Sequence, residues 1–156
     1  MKMQLAKGMP VFHATSRDSA LSILTRKLDP TAVNQWGGGE FGPGFYTATT
    51  RDGAALYTDP PQVVIEFETT ELLHGIAKAP APNWSQDEEL RKCCEDYDFI
   101  TGLNQTPTLE YKFNHRSYGK LRAVRVHIWH GGGWTSCSVD EALVKLHGTA
   151  ALNQLA

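Results

Sequence analysis

This chain of 156 residues has few cysteines, and their arrangement suits neither a disulfide framework nor a metal site. Cys93 and Cys94 are adjacent, Cys137 stands apart, and the odd number leaves one thiol over. Small secreted domains carry even sets of cysteines, so this pattern favours a reducing compartment. The histidines that follow residue 126 have no acidic or cysteine partners at ligand spacing. We therefore predict no metal and a cytoplasmic location.

Long apolar runs and a surplus of basic charge are also missing. No stretch approaches the roughly 18 consecutive apolar residues of a membrane span, and residues 1–9 contain no apolar core of a signal peptide. The formal net charge of −2 gives no overall signature of nucleic-acid binding. With 41% hydrophobic and 21% charged residues the sequence is typical of a globular protein, and its length predicts a single domain over residues 1–156.

Apolar residues recur with strand and helix periods along the chain. Serines and threonines stand where helix N-caps are expected, and Ser85 forms a capping box with Glu88. The predicted helices begin after Ser16, Thr50, Ser85 and Ser138, and the first three end near residues 27, 57 and 95. The predicted strands span residues 10–13, 45–49, 63–69, 99–102, 108–113 and 121–129. Because strands outnumber helices and alternate with them irregularly, we predict an α+β fold rather than a doubly wound parallel sheet.

Glycine and proline interrupt the chain between these elements. Residues 29–44 are irregular, and a loop of this length in a small domain is usually functional. Residues 78–84 contain two prolines and are predicted as a linker, while the glycines at 131–133 mark a sharp break. The glycines at 37–39, and those at 42 and 44, do not follow a strand and open a helix, so they do not match the dinucleotide-binding fingerprint.

The most informative stretch is residues 41–47, where a Gly-Pro-Gly turn leads directly into an aromatic strand. Pro43 restricts the backbone of the turn, which delivers Tyr46 at a defined point of the strand. The His-Ala-Thr triplet at 13–15 lies upstream, and Tyr57 follows on a predicted helix. Together these residues predict a pocket for a flat, charged ring. Taken singly, these residues favour structural roles: a core histidine, a packed strand tyrosine and part of a buried helix face. Their order and spacing together favour the binding pocket.

The order and spacing of these residues resemble the ADP-ribosyltransferase superfamily, in the His-Tyr-Glu branch that includes diphtheria-like toxins and poly(ADP-ribose) polymerases. The eleven-residue step from Tyr46 to Tyr57 is the spacing of that branch's two stacking tyrosines. Leu109-Glu110-Tyr111 resembles the sequence around its catalytic glutamate. The similarity extends over roughly residues 10–130, and residues 96–102 resemble small bacterial toxin-like members.

The resemblance implies an α+β catalytic domain whose split, mixed or antiparallel sheet with flanking helices surrounds an NAD cleft. Tyr46 and Tyr57 would hold the cationic nicotinamide by stacking and cation–π attraction, worth about 0.5 to 2 kcal/mol each. His13 would hydrogen-bond a ribose hydroxyl, and Ala14 would offer its backbone to the nicotinamide amide. Glu110 would accept from the ribose 2′-hydroxyl and stabilise an oxocarbenium-like transition state, or activate the acceptor. By the same resemblance, Thr15 would either contact the ribose or cap the following helix. Gly44 would also contact the NAD.

The sequence leaves the identity of the catalytic carboxylate open. Three other glutamates compete with Glu110, namely Glu40, Glu66 and Glu68. On the strand at 108–113, Glu110 and Lys112 share one face, which is either a solvated edge or the wall of a cleft. Glu110 is followed by an aromatic residue, and it lies late in the chain, as the catalytic glutamate does in the family. We therefore predict that Glu110 is the catalytic carboxylate.

A local basic cluster lies between residues 112 and 125. Such a cluster is usually a solvated surface, but it can also bind the phosphates of a nucleic-acid acceptor. The aromatic residues Tyr118 and Trp129 lie near it, although no RNA- or DNA-binding motif supports that use. The cluster consists of Lys112, His115, Arg116, Lys120, Arg122 and Arg125.

The resemblance therefore implies a mono-ADP-ribosyltransferase that cleaves the nicotinamide–ribose bond of NAD and transfers ADP-ribose to a protein or nucleic acid. It further implies a bacterial or phage toxin-like enzyme with an antitoxin or immunity protein as partner. Two alternatives are an NAD glycohydrolase, for which water is the acceptor, and an inactive domain that binds NAD or a protein. Thr108, two residues before Glu110, gives no support to an arginine-specific Glu-x-Glu pattern.

Overall fold

The computed structural model describes residues 1–28, 41–80, 83–102 and 110–155, with side chains described as far as residue 148. Several residues used in the sequence analysis lie outside this part, namely the glycines at 37–39, Glu40, Thr108 and Leu109.

All nine described strands belong to one sheet. They are β1 (Lys2–Leu5), β2 (Pro10–Thr15), β3 (Phe45–Ala48), β4 (Val63–Thr69), β5 (Leu73–Lys78), β6 (Phe99–Gly102), β7 (Glu110–Phe113), β8 (Leu121–Trp129) and β9 (Trp134–Cys137). Across the sheet their order is β1-β5-β6-β7-β3-β2-β4-β8-β9. The pair β5 and β6 is parallel, and the other neighbouring strands are antiparallel.

Four α-helices flank the sheet in the part of the chain that the structure describes. They are α1 (Arg17–Arg26), α2 (Arg51–Ala55), α3 (Glu88–Asp96) and α4 (Val139–Leu155), and two 3-10 turns span Trp84–Gln86 and His115–Lys120. Among these helices none is long and apolar enough to cross a lipid bilayer. The predicted combination of helices with a mixed sheet is confirmed at this level.

Three of the four predicted helix caps are confirmed. Ser16, Thr50 and Ser138 each accept a hydrogen bond from the backbone N–H three residues ahead, at 3.2, 2.9 and 3.2 Å. The cap predicted at Ser85 is wrong, because Ser85 lies in a 3-10 turn and Asp87 caps α3 instead. Asp87 therefore both ends the 3-10 turn and starts α3.

The two faces of the sheet pack against different helices. Val11, Phe45 and Ile65 point toward α1 and α4, in one core with Ala20 and Leu146; we call this the α1/α4 face. The opposite side lies under α2 and α3, and we call it the α2/α3 face. Its residues form two smaller clusters, Phe12, Ala48 and Val64 with Ala54 of α2, and Ile100 and Tyr46 with Leu90 and Cys93 of α3.

Candidate functional site

Three neighbouring strands, β7, β3 and β2, hold the glutamate, tyrosine and histidine of the predicted site. The register pairs Tyr46 with Lys112, Ala48 with Glu110, and Phe12 with Ala48. Directly opposed residues share a face of the sheet, so Tyr46 and Glu110 both lie on the α2/α3 face. They are diagonal neighbours, a relation that separates residues by about 7–8 Å.

Glu110 lies in the interior of the sheet. Only 9% of it is exposed, and β7 is hydrogen-bonded between β6 and β3. Two buried threonines fix this strand from both sides: Thr101 donates to the carbonyl of Glu110 at 2.7 Å, and Thr47 donates to that of Tyr111 at 2.9 Å. The solvated-edge interpretation is therefore wrong.

The phenol of Tyr46 is held by its own turn. Its hydroxyl donates to the carbonyl of Gly42 at 2.6 Å and accepts from the N–H of Phe41 at 3.2 Å. The half-buried ring packs against the cluster that includes Phe41 and Leu90. These contacts give the ring a fixed position at the start of β3, as a preorganised binding wall requires.

His13 connects β2 to the backbone of Tyr46. Its Nδ1 lies 2.7 Å from the Tyr46 carbonyl oxygen, and its ring stacks on Phe45 with centroids 4.1 Å apart. A carbonyl can only accept, so Nδ1 carries the proton and Nε2 is the accepting nitrogen. Burial lowers the pKa of His13 to about 4, against the opposing effect of the Tyr46 hydrogen bond, and the ring is neutral near pH 7.

The ring of His13 lies on the α1/α4 face, opposite to the side chains of Tyr46 and Glu110. Its strand partner Ile65 and its stacking partner Phe45 both belong to that core. His13 therefore acts on the tyrosine through the backbone. A direct contact of His13 with a ribose hydroxyl stays a prediction.

The other predicted contacts are distributed around these strands. Ala14 lies on the α2/α3 face, half-buried beside Ala48. Thr15 is buried on the α1/α4 face, and its role as a helix cap is wrong because Ser16 caps α1. Tyr57 lies two residues beyond α2 and is 61% exposed, so the interpretation as a buried helix residue is also wrong.

Gly44 makes room for a side chain of the protein rather than for a ligand. A Cβ at this position would lie 2.2 Å from Cδ of Lys112 and 2.6 Å from the carbonyl oxygen of Phe113. The positive φ of the turn belongs to Gly42, at 81°. The space beside Gly44, where a cofactor contact was predicted, is occupied by the side chain of Lys112.

Lys112 is fully buried, so its assignment to a solvent-facing basic cluster is wrong. Its ammonium group donates to the carbonyl of Pro43 at 3.2 Å, to Sγ of Cys94 at 3.1 Å, and to Oδ1 of Asn114. Burial lowers the pKa of Lys112. The lysine thus ties β7 to the turn before Tyr46 and to α3, a contact that no local sequence motif signals.

Most other members of the basic cluster face carboxylates. Asp98, which is 3% exposed, pairs with Arg116 at 3.3 Å and with Lys120 at 3.2 Å. Arg122 pairs with Glu68, and Arg125 lies opposite Glu66 in the register of β8 and β4. These pairs reduce the positive potential that a nucleic acid would need at this surface.

The competing carboxylates that the structure describes lie apart from Tyr46. Glu66 shares a row across the sheet with Glu110, but β3 and β2 lie between the two positions. Three inter-strand spacings of about 4.8 Å place them about 14 Å apart. Glu66 contacts His127, and Glu68 contacts Arg122. Of the described glutamates considered as alternatives, Glu110 adjoins the tyrosine.

A cavity of about 480 Å³ opens between α3 and the turn that precedes β3. Pro43, Trp84, Cys94 and Asn114 contribute to its lining, and the described lining contains none of the predicted catalytic residues. Among the described residues no group of His, Cys, Asp and Glu could hold a metal ion.

The sequence matches no protein-family model and no curated protein.

Proposed function

We propose that this protein is an NAD-dependent mono-ADP-ribosyltransferase whose reaction takes place on the α2/α3 face of β2, β3 and β7. The observation that carries the proposal is the diagonal placement of Tyr46 and Glu110 on adjacent strands. The two positions lie about 7–8 Å apart on one face of the sheet, with an aromatic side chain at one and a shielded carboxylate at the other. That spacing suits a ribose-linked flat ring held by the tyrosine, with its sugar next to the carboxylate.

The carboxylate supplies the electrostatics of the reaction. When the nicotinamide–ribose bond breaks, its electron pair leaves with nicotinamide and positive charge develops on the ribose. Glu110 can accept a hydrogen bond from the 2′-hydroxyl and stabilise that charge, an effect that a shielded site strengthens. The acceptor nucleophile then bonds to the ribose carbon and gives up its proton.

The two tyrosines serve the binding of nicotinamide. Tyr46 is held in place through its hydroxyl, so its ring requires little ordering when a ligand binds. Tyr57 is exposed beyond α2 and provides a second aromatic surface. Stacking on a cationic ring is worth about 0.5 to 2 kcal/mol for each tyrosine.

We assign His13 the role of a positioning residue. The strands β2 and β3 are paired in register at one position only, Phe12 with Ala48. The hydrogen bond from His13 to the carbonyl of Tyr46 is therefore an additional link between them. Displacement of that carbonyl would move Tyr46 relative to the carboxylate on β7. A small misplacement of this kind is costly for a reaction that depends on geometry.

The cellular setting is part of the same proposal. The three cysteines are free, as expected of a protein that acts in a reducing cytosol. A small toxin-like transferase acting there would require an antitoxin or immunity protein in the cell that produces it.

The direct test is incubation of the full chain with NAD labelled in its adenylate part and with a cell lysate. We expect label on macromolecules together with release of nicotinamide. Treatment of the labelled fraction with protease and, separately, with nuclease then identifies the acceptor as protein or nucleic acid.

The rival functions give different results in the same assay. Nicotinamide release without labelled macromolecule would identify an NAD glycohydrolase. Binding of NAD by calorimetry with neither release nor label would identify an inactive NAD-binding domain and would contradict the proposal.

A further inference from the structure

A serine, a histidine and a glutamate form a hydrogen-bonded chain at the other end of the sheet. They lie on β9, β8 and β4, which are adjacent strands. Ser136 Oγ is 2.6 Å from His127 Nδ1, and His127 Nε2 is 3.2 Å from an Oε1 of Glu66. The register places Ser136 directly opposite His127, so the first contact follows from strand pairing.

The partners determine the direction of the hydrogen bonds. An ionised carboxylate only accepts, so Nε2 of His127 carries the proton and donates it to Glu66. The lone pair is then on Nδ1, and the hydroxyl of Ser136 donates to it. A nucleophile, a base and a group that orients the base are thus present in the order that activates a serine.

The surroundings of His127 keep its ring neutral, as a general base must be. Burial lowers its pKa, the hydrogen bond and charge of Glu66 oppose that shift, and the charges of Arg51 and Arg125 reinforce it. His127 is 6% exposed, whereas Ser136 is exposed to solvent. The base is therefore shielded and neutral near pH 7, and the nucleophile is accessible.

We propose that Ser136, His127 and Glu66 form a second reactive site, which takes activated acyl or phosphonyl groups in a serine-esterase type of reaction. The ring is turned relative to the arrangement usual in serine hydrolases, since Nδ1 rather than Nε2 meets the serine. The order of donors and acceptors is the same. Arg51, with its guanidinium 5.3 Å from the centre of the Trp134 ring, and Arg125 bring positive charge near His127, which helps to keep the base neutral.

The proposed reaction has two steps. Ser136 Oγ bonds to the carbonyl carbon of an ester while its proton moves to Nδ1 of His127. The bond to the leaving alkoxide then breaks, and the alkoxide takes that proton. Water hydrolyses the acyl-serine by the same proton path, releasing the acid. With a fluorophosphonate, the oxygen–phosphorus bond forms, fluoride leaves, and the proton passes through His127 to solvent.

A fluorophosphonate probe tests the site independently of any reaction with NAD. We expect one adduct per chain, mapped by peptide mass spectrometry to Ser136. The exposed Ser138 is an internal control in the same part of the chain, because its hydroxyl contacts Glu141 rather than a histidine. Absence of an adduct at Ser136, or equal labelling of Ser138, would overturn the proposal.

Two variants separate catalysis from folding. Ser136→Ala should abolish labelling and the hydrolysis of p-nitrophenyl acetate. His127→Gln should slow labelling by roughly 100-fold, with a thermal unfolding curve recorded to establish that the variant is folded. A folded His127→Gln protein that reacts at the wild-type rate would show that the hydrogen bonds are structural only.

Glu66 is a positioning residue in this site, and its variant should change the pH profile. In the wild type the rate should fall at acid pH with a midpoint below 6.5, because His127 must be neutral to act as a base. Glu66→Gln removes a charge that raises the pKa of His127, so the midpoint should move to lower pH while the rate falls. A lower rate with an unchanged midpoint would contradict this role.

Discussion

At the scale of single residues, the absence of a side chain at Gly44 leaves the space in which the side chain of Lys112 is buried. The aliphatic part of Lys112 passes through the space that a Cβ on residue 44 would fill, and its ammonium group reaches Pro43 and Cys94. A buried lysine has few ways to satisfy its charge, so these contacts are expensive to lose. The glycine therefore supports the turn that positions Tyr46.

Gly44→Ala should lower the free energy of unfolding by about 1–3 kcal/mol, a typical cost of overpacking. The lysine side chain could shift away from the new methyl group, but the backbone carbonyl of Phe113 at 2.6 Å could not. Urea denaturation measures the effect. Gly119→Ala is the matched control, because a Cβ there meets nothing within 4 Å, and it should change stability by no more than about 0.5 kcal/mol. Equal effects of the two substitutions would refute this role of Gly44.

At the scale of elements, the sequence signals were strongest where they were local. β4 and β8 have the predicted bounds because long β-branched and aromatic runs specify a strand by themselves. The caps at Ser16, Thr50 and Ser138 follow from chemistry within three residues. At α3 the local pattern predicted Ser85, but the helix is capped by Asp87, two residues further along the chain.

Three strands could not be predicted because their stability comes from distant partners. β1 and β9 are short edges of four residues each. β5 contains Gly75, a residue that weakens a strand on propensity alone. The reason for that glycine is the ring of Phe99 on β6, which a Cβ would approach to 2.4 Å. No pattern within β5 reveals this contact.

His13 joins two elements, and its titration should be visible in the stability of the fold. The pKa of His13 is about 4 in the folded chain and 6.5 as a reference value. Between these values the unfolded chain binds a proton that the folded chain excludes, so stability falls as the pH decreases from 6.5 to 4. Below that window the contribution is constant. The full effect is about 3 kcal/mol by proton linkage.

Chemical denaturation at pH 6.5 and pH 4.5 measures this contribution. His13→Gln has no titrating ring and should lose less stability than the wild type over that interval. Exposed His130→Gln is the matched control and should keep the wild-type pH dependence. An identical pH dependence for His13→Gln and the wild type would show that His13 does not contribute to it.

At the scale of the whole molecule, the site exists because the sheet order places distant strands together. The sequence predicted the strands of His13 and Tyr46 and the tyrosine spacing, but not that β7 would lie beside β3. Alternation along β7 assigned Glu110 and Lys112 to one face, yet only the pairing with β3 shows that this face is buried. The opposite orientation of His13 likewise depends on strand pairing. These are non-local properties of the fold.

The most direct test of the central claim compares two glutamate-to-glutamine variants for nicotinamide release from NAD in the presence of lysate. Glu110→Gln removes the charge beside Tyr46 without changing the shape of the side chain. Glu68→Gln makes the same change on β4, where the carboxylate pairs with Arg122. We predict that Glu110→Gln reduces the rate by at least about 100-fold, while Glu68→Gln keeps the wild-type rate. An unfolding curve of each variant establishes that it is folded. Full activity in a folded Glu110→Gln protein would contradict the proposed site.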